Sequence, residues 1–310
     1  MPRTLLAFIL LLGLTFAATA DDGSRLWLRF PDASQPSASV SLTTEGEFRL
    51  APTDQAVVAT ALSELRHHWQ GLPLSLRLTA SSARLAPGGF RIIKVEEESF
   101  RITASSAAGL LYAAYFVLRA QTMGDGCLCQ ALGPNHDLTE EPDRATRAVS
   151  LGDASLLNGR LSLFAQAMAS AGINELQLPA ASATTVASLR DTLSSYAISV
   201  RFGKPQCPTL PLTADPNWTG DHLQQFEVYA AARSQWQASL TRERMVCEWL
   251  AQTFSDNPFF IISMRDALLS DPAERIFRLF ETWQEMQPYI DKQRFEEVEQ
   301  HLIAHLDDEN

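Results

Sequence analysis

The sequence predicts an α/β protein in three successive parts: a small mixed-sheet α/β domain, a run of parallel βα units, and a helical C-terminal region. Three observations predict it. Strand and helix patterns interleave from residue 24 to 123. Between Ala148 and Phe202 the pattern becomes strand, helix, strand, helix, strand with short turns, the signature of parallel pairing. Beyond Gly203 come Pro205, Pro208, Pro211 and Pro216, and after them only helical stripes.

In the first part, Arg25-Leu26-Trp27-Leu28-Arg29-Phe30 predicts a half-buried strand by its alternation, and residues 31–38, rich in Pro and Ser, a loop. Asp54 is the expected cap of a helix whose apolar stripe is Val58, Leu62, Leu65 and Trp69, ended by Gly71 and Pro73. Leu74 to Leu78, Phe90 to Val95 and Phe100 to Thr103 read as strands, the last two joined through Glu96-Glu97-Glu98. Ser105 or Ser106 then caps a long helix that buries Leu110, Leu111, Ala114, Val117 and Leu118 and stops at Gly124.

Residues 124–146 read as a linker, and 147–222 as the region of parallel units: strands at Ala148 to Leu151, Ile173 to Leu178 and Ala197 to Phe202, with helices Leu161 to Ala171 and Thr185 to Tyr196 between them. Residues 223–310 are helical. One helix spans Thr241 to Phe254, Asp271-Pro272 opens another, and Asp291 caps the last, with Phe295, Val298, Leu302 and Leu306 as its stripe.

The N-terminus has the form of a secretory signal over residues 1–20: Arg3, an apolar core from Leu5 to Phe16, and the small-x-small site Ala18-Thr19-Ala20. An exported chain beginning near Asp21, periplasmic or extracellular, is the expectation, with no later segment apolar enough to span a bilayer. Residues 21–123 then form the first domain. Apolar residues at 46% and charged residues at 20% suit a globular protein. A net charge of −11 argues against a nucleic-acid partner, whose phosphates require a basic surface.

Cys127, Cys129, Cys207 and Cys247 are candidates for disulfide pairing in an exported chain, with the connectivity open. Cys127-Leu128-Cys129 lacks the spacing of a zinc site and no matching pair follows it, so no metal is expected. His301 and His305 share a helix face at i, i+4, but Leu302 stands where a zinc peptidase helix carries glutamate, and a solvated face is the expectation. No serine elbow, phosphate loop or dinucleotide fingerprint occurs, and no cofactor is expected.

Several segments, in order along the chain, resemble the bacterial α-glucuronidases of glycoside hydrolase family 67. Asp22 to Phe30 resembles that family's opening strand. Gly89-Phe90-Arg91-Ile92, Gly109-Leu110-Leu111-Tyr112 and Leu118-Arg119-Ala120-Gln121-Thr122 resemble its second strand pair and following helix. Ala171-Gly172-Ile173-Asn174 resembles the entry to the second barrel strand, and Asn217-Trp218-Thr219-Gly220 the loop after the final one. Leu240 to Phe254 and Pro288-Tyr289-Ile290-Asp291 resemble C-terminal family helices. The resemblance implies an N-terminal α/β domain, a (β/α)8 barrel and a helical end, and removal of 4-O-methylglucuronic acid from xylan side chains.

It also implies a truncation. Only about seventy residues separate the first barrel strand from the Asn217 motif, whereas a full barrel takes roughly 200–250 residues. The expected fold is therefore a truncated barrel remnant of about three parallel strands, left open and covered by C-terminal helices. The family's catalytic carboxylates fall in the gap between Cys207 and Asp215, so no catalytic residue is carried over. Where the family has His-Trp-Asp this chain reads Leu151-Gly152-Asp153.

Candidate substrate contacts are Asp153, Asn217 and Trp218. Asp153 reads as a sugar contact or as a turn cap in Gly152-Asp153-Ala154-Ser155. Trp218 reads as a stacking platform or as a plug for the lost strands, and Asn217-Trp218-Thr219 also fits an N-glycosylation acceptor. The implied ligand is a glucuronic-acid-bearing xylo-oligosaccharide and the implied state is non-catalytic. A hydrolase with a rebuilt or oligomer-completed site, and an exported protein-interaction module, are the alternatives.

Overall fold

The computed structural model describes residues 25–28, 30, 40–45, 50–79, 85–95, 99–124, 127–179 and 186–308. The expected signal at 1–20 lies outside the described residues. The chain is a mixed α/β protein with a five-stranded mixed sheet, a three-stranded parallel sheet and a C-terminal set of helices.

The first sheet comprises β1 (Val40–Glu45), β2 (Leu74–Thr79), β3 (Phe90–Val95), β4 (Ser99–Ala104) and β5 (Asp137–Glu140), in the order β1-β2-β4-β3-β5. β1, β2 and β4 run parallel, while β3 lies antiparallel to both β4 and β5. Leu74, Leu76 and Leu78 of β2 and Ile102 of β4 are fully buried, as period-2 alternation requires. α1 (Pro52–His68) and α2 (Ala107–Thr122) pack on each other beside this sheet. Ser106 caps α2, its Oγ accepting from the Gly109 N–H at 3.1 Å. α2 is apolar nearly all round because α1, strands of the first sheet and helices from later in the chain surround it.

Three expectations are corrected here. Arg25 to Leu28 is a turn, not a strand, with Leu26 at φ 57° and Leu26, Trp27, Leu28 and Phe30 all buried. A half-buried strand needs one exposed face, and Trp27 occupies the parity that would have to supply it. Asp54 does not cap α1; Ala51 stands at the N-cap, Pro52 takes the first helical position, and Asp54 lies in the first turn where its charge suits the helix dipole. The expected linker 124–146 contains α3 (Cys127–Leu132) and the edge strand β5, and thereby completes the first sheet.

The second sheet holds β6 (Ala148–Ser150), β7 (Glu175–Leu178) and β8 (Ser199–Phe202), all parallel, joined through α4 (Leu161–Ser170) and α5 (Val186–Ser195). A further parallel bridge joins Ser150 to Thr209 on the other side of β6. Gly172, at φ 91°, turns the chain from α4 into β7; a Cβ there would lie 2.5 Å from Trp236 Cε3, so the close approach of the Trp236 ring also demands glycine.

The C-terminal helices are α6 (Gln225–Trp236), α7 (Arg242–Thr253), α8 (Pro258–Leu268), α9 (Arg275–Glu285) and α10 (Lys292–Asp308). Thr241 caps α7 and Asn257 caps α8. Asp291 accepts from the N–H groups of Gln293 and Arg294 at the start of α10. Among the described residues no helix is long and apolar enough to cross a membrane. A buried ionic network ties the helical region to α2. Glu248 of α7 accepts from Tyr229 Oη at 2.8 Å and from Arg233 Nε at 3.2 Å, and Arg119 Nε lies 3.8 Å away.

Candidate functional site

In parallel α/β sheets, ligand sites gather at the carboxyl ends of the strands. Here that edge consists of the segment after β6, carrying Asp153, and the Thr213–Gly220 loop that follows the Thr209 bridge.

Asp153 is exposed and turned onto its own chain. Its carboxylate accepts from Ser155 N at 2.8 Å and from Ser155 Oγ at 2.6 Å, capping the short 3-10 turn Ala154–Leu157. The Ser155 hydroxyl, then its N–H, hold this carboxyl below the usual carboxylate range. It is therefore ionised at neutral pH and unsuited to proton donation as a general acid.

Trp218 is fully buried, at 0% exposure. Its ring lies 6.0 Å from that of Phe164 of α4, and the Arg160 guanidinium covers it at 3.8 Å from the ring centroid. Arg160 Nη1 donates to Asp215 O at 2.6 Å, and Arg160 Nη2 to Leu156 O at 3.3 Å and Thr213 O at 3.4 Å. One guanidinium thus ties the segment after β6 to the loop after Thr209 over the indole. Trp218 sits at φ 71°, a left-handed conformation held by Trp218 N–H donating to Asp215 O at 2.9 Å and by Thr213 N–H donating to Trp218 O at 2.6 Å.

Asn217 is buried and shapes the same turn. Its Oδ1 accepts from Gly220 N at 2.8 Å and Thr219 N at 3.3 Å, and its carbonyl accepts from Gln225 Nε2 at 2.6 Å. The structure thus buries Asn217 and Trp218 together in one folded turn and leaves Asp153 exposed, bonded to Ser155. Four other carboxylates of this part are committed elsewhere, and Asp191 is exposed on α5. Glu175 meets Gln177 and Arg201, Asp215 meets Thr213, Asp221 meets Leu223 and His305, and Glu227 meets Arg242.

Arg160 is a residue the sequence reading passed over. Its signal is local: a cation at the N-cap of α4 opposes the helix dipole and needs another reason to be there. The histidine face of α10 also differs from expectation. His305 Nε2 lies 3.4 Å from Asp221 Oδ2, and the His301 ring lies 6.1 Å from that of the buried His222, so this face meets the Asp221 segment rather than water alone.

Cys129, Cys207 and Cys247 carry free thiols, and the side chain of Cys127 lies outside the described residues. Burial pushes the thiols of Cys207 and Cys247 up, away from thiolate reactivity. Among the described residues no group of three or more His, Cys, Asp or Glu side chains is arranged to hold a metal ion.

No known family model matches the sequence, and no curated protein matches it. Weak structural neighbours are glycoside hydrolases. One is a family GH115 4-O-methyl-α-glucuronidase with specificity for decorated arabinogalactans, at 11% identity and a TM-score of 0.35, covering 60% of this chain and 30% of that one. A GH138 enzyme targeting pectin rhamnogalacturonan II matches at 12% identity and a TM-score of 0.35, over 53% of this chain and 24% of that one. The Flavobacterium johnsoniae chitobiase FjGH20 matches at 11% identity and a TM-score of 0.35, over 86% and 51%. The chain spans only about a quarter to a third of the length of the first two. Likeness at this level fixes neither a family nor a substrate.

Proposed function

We propose that the chain is an exported, carbohydrate-associated relative of the family 67 α-glucuronidases that does not catalyse hydrolysis. In this reading the β6–β8 sheet is what remains of the barrel. The Ser150–Thr209 bridge supports it, because it sets the segment ahead of Asn217 beside β6, where the closing strand of a barrel meets the first. The observation that carries the non-catalytic part is the plug: Trp218, buried beneath Arg160 and beside Phe164, packs the Thr213–Gly220 loop onto the start of α4 and offers no open face to a ligand. Glycoside hydrolysis by inversion needs two carboxyl groups about 6.5–9.5 Å apart across an open cleft. At this edge Asp153 is ionised and bound to Ser155, and the one acid of the loop opposite, Asp215, has its carboxylate accepting from the Thr213 hydroxyl while Arg160 bonds its carbonyl.

The test is release of 4-O-methylglucuronic acid from aldouronic acids at high protein concentration. The expected result is no release, with Asp153→Asn indistinguishable from the parent. Release that Asp153→Asn abolishes overturns the reading. Calorimetric titration with a glucuronic-acid-bearing xylo-oligosaccharide tests the ligand separately: no heat of binding removes the carbohydrate part and leaves the scaffold.

A further inference from the structure

A cavity of about 250 Å³ lies between the C-terminal end of α1, the turn at Arg25 to Phe30, and α4. Its apolar wall is Leu28, Phe30 and Leu163. Its polar rim consists of Arg25, His67 and His68 with the amide of Gln166. Three basic side chains converging on one cleft are notable in a chain of net charge −11.

The rim is built rather than incidental. Trp27 Nε1 donates to Ser170 Oγ at 2.9 Å, which pins the turn that carries Arg25 against α4. The Phe30 ring lies 5.9 Å from His68 and stacks 6.4 Å from the buried Tyr115, fixing the apolar wall. His67 Nδ1 lies 2.7 Å from the Ser63 carbonyl and must donate to it, which fixes the ring at the end of α1 and leaves Nε2 outside that bond.

Among the described residues, Glu64 is joined to the rim through Gln166; it is buried and does not line the cleft. Gln166 stands between them, its Nε2 donating to both Glu64 oxygens at 3.0 and 2.8 Å. Burial pushes the Glu64 carboxyl up, against the opposing pull of Gln166, His67 and Tyr115.

We infer that this cleft binds a small carboxylate whose body offers an apolar face, the anion meeting Arg25 and the histidines and the body resting on Phe30, Leu28 and Leu163. A uronate has this chemistry, and so does an aromatic carboxylate. The inference goes beyond the proposed function. It concerns different elements from the β6–β8 edge, and its test involves no turnover.

Isothermal titration of the full chain with glucuronate and with benzoate, set against their neutral counterparts glucose and benzamide, tests it. At least one carboxylate should bind with a Kd on the order of 1 mM or tighter, and its neutral counterpart at least about tenfold more weakly. Which carboxylate binds identifies the ligand source. Arg25→Gln should weaken binding by about tenfold or more, since it removes a charge-assisted hydrogen bond. Leu163→Asp, on the outer surface of α4, should abolish binding while leaving the circular dichroism spectrum unchanged. The inference is overturned by equal binding of the neutral compounds, by an unchanged affinity in Arg25→Gln, or by no binding of either carboxylate.

Discussion

Replacing Glu248 by Gln tests what joins the helical region to the rest of the molecule. Glu248 is 4% exposed, and the guanidiniums it serves are scarcely more so: Arg119 at 7% and Arg233 at 4%. Burial alone would push the Glu248 carboxyl up. Arg233 and Arg119, the Tyr229 hydroxyl and the half-exposed Arg244 outweigh that and bring it down to about 2. Its two main partners respond differently. Burial and the nearby Arg233 leave Arg119 below the ordinary guanidinium value, whereas Glu248 and Tyr229 raise Arg233 despite its burial. The geometry agrees: Arg233 lies 3.2 Å from the carboxylate and Arg119 3.8 Å. Glu248→Gln strands both cations in the core. Breaking a buried pair from one side costs about 3–5 kcal/mol, which for a chain of this size lowers Tm by roughly 10 °C. The assay is a thermal melt at pH 7 followed by circular dichroism. Because the folded carboxyl titrates near 2 rather than 4.5, its stabilisation is complete above pH 4.5 and is lost as pH falls toward 2. That contribution is about 3 kcal/mol, so parent and variant should converge in strong acid. A Tm change below about 2 °C at pH 7, or a gap that does not shrink in acid, would refute the argument.

Trp218→Ala should destabilise by about 3–5 kcal/mol, because it empties a fully buried site and removes the surface under Arg160; denaturant titration reads this, and a neutral result would return Trp218 to the surface. Gly172→Ala should cost at least about 2 kcal/mol, since it meets both a left-handed backbone and the Trp236 ring, and a melt unchanged from the parent would contradict that packing. Ser106→Ala should cost about 1 kcal/mol through loss of the α2 cap, with Ser106→Asp recovering most of it in the same unfolding experiment.

The elements most legible in the sequence are those whose own pattern decides them. α2, β2, β3, β4 and the three parallel strands lie close to where alternation and apolar stripes place them. What was not legible depends on partners far away in the chain. β1 reads Val-Ser-Leu-Thr-Thr-Glu, a weak pattern that becomes a strand only because β2 offers it a parallel edge. β5 is four residues of mostly polar character inside an expected linker, and it forms by pairing with β3. The candidate site divides in the same way. Asn217, Trp218 and Asp153 could be found by motif, but a motif carries no information on burial. That Trp218 faces Phe164 and Arg160 follows only from the return of the chain to the β6 edge at Thr209.

A parallel sheet of only three strands has two edges and an end to protect, and this chain treats each differently. Thr209 bridges to Ser150 outside β6, with the Ser150 N–H donating to Pro208 O and the Leu210 N–H donating to Ser150 O, both at 2.9 Å. At the other side, β8 pairs only with β7 among the described strands and alternates exposed Ser199 and Arg201 with half-buried Val200 and Phe202. Short length and an outward arginine are devices that discourage further strand addition. After β6, Trp218 and Arg160 pack the Thr213–Gly220 loop against the start of α4. On the proposed function, stability and catalysis compete for the same few residues: the indole and guanidinium that pack the Thr213–Gly220 loop hold the space a proton donor and a water would need. On that reading, adding a single acid beside Asp153 is expected to yield no hydrolysis.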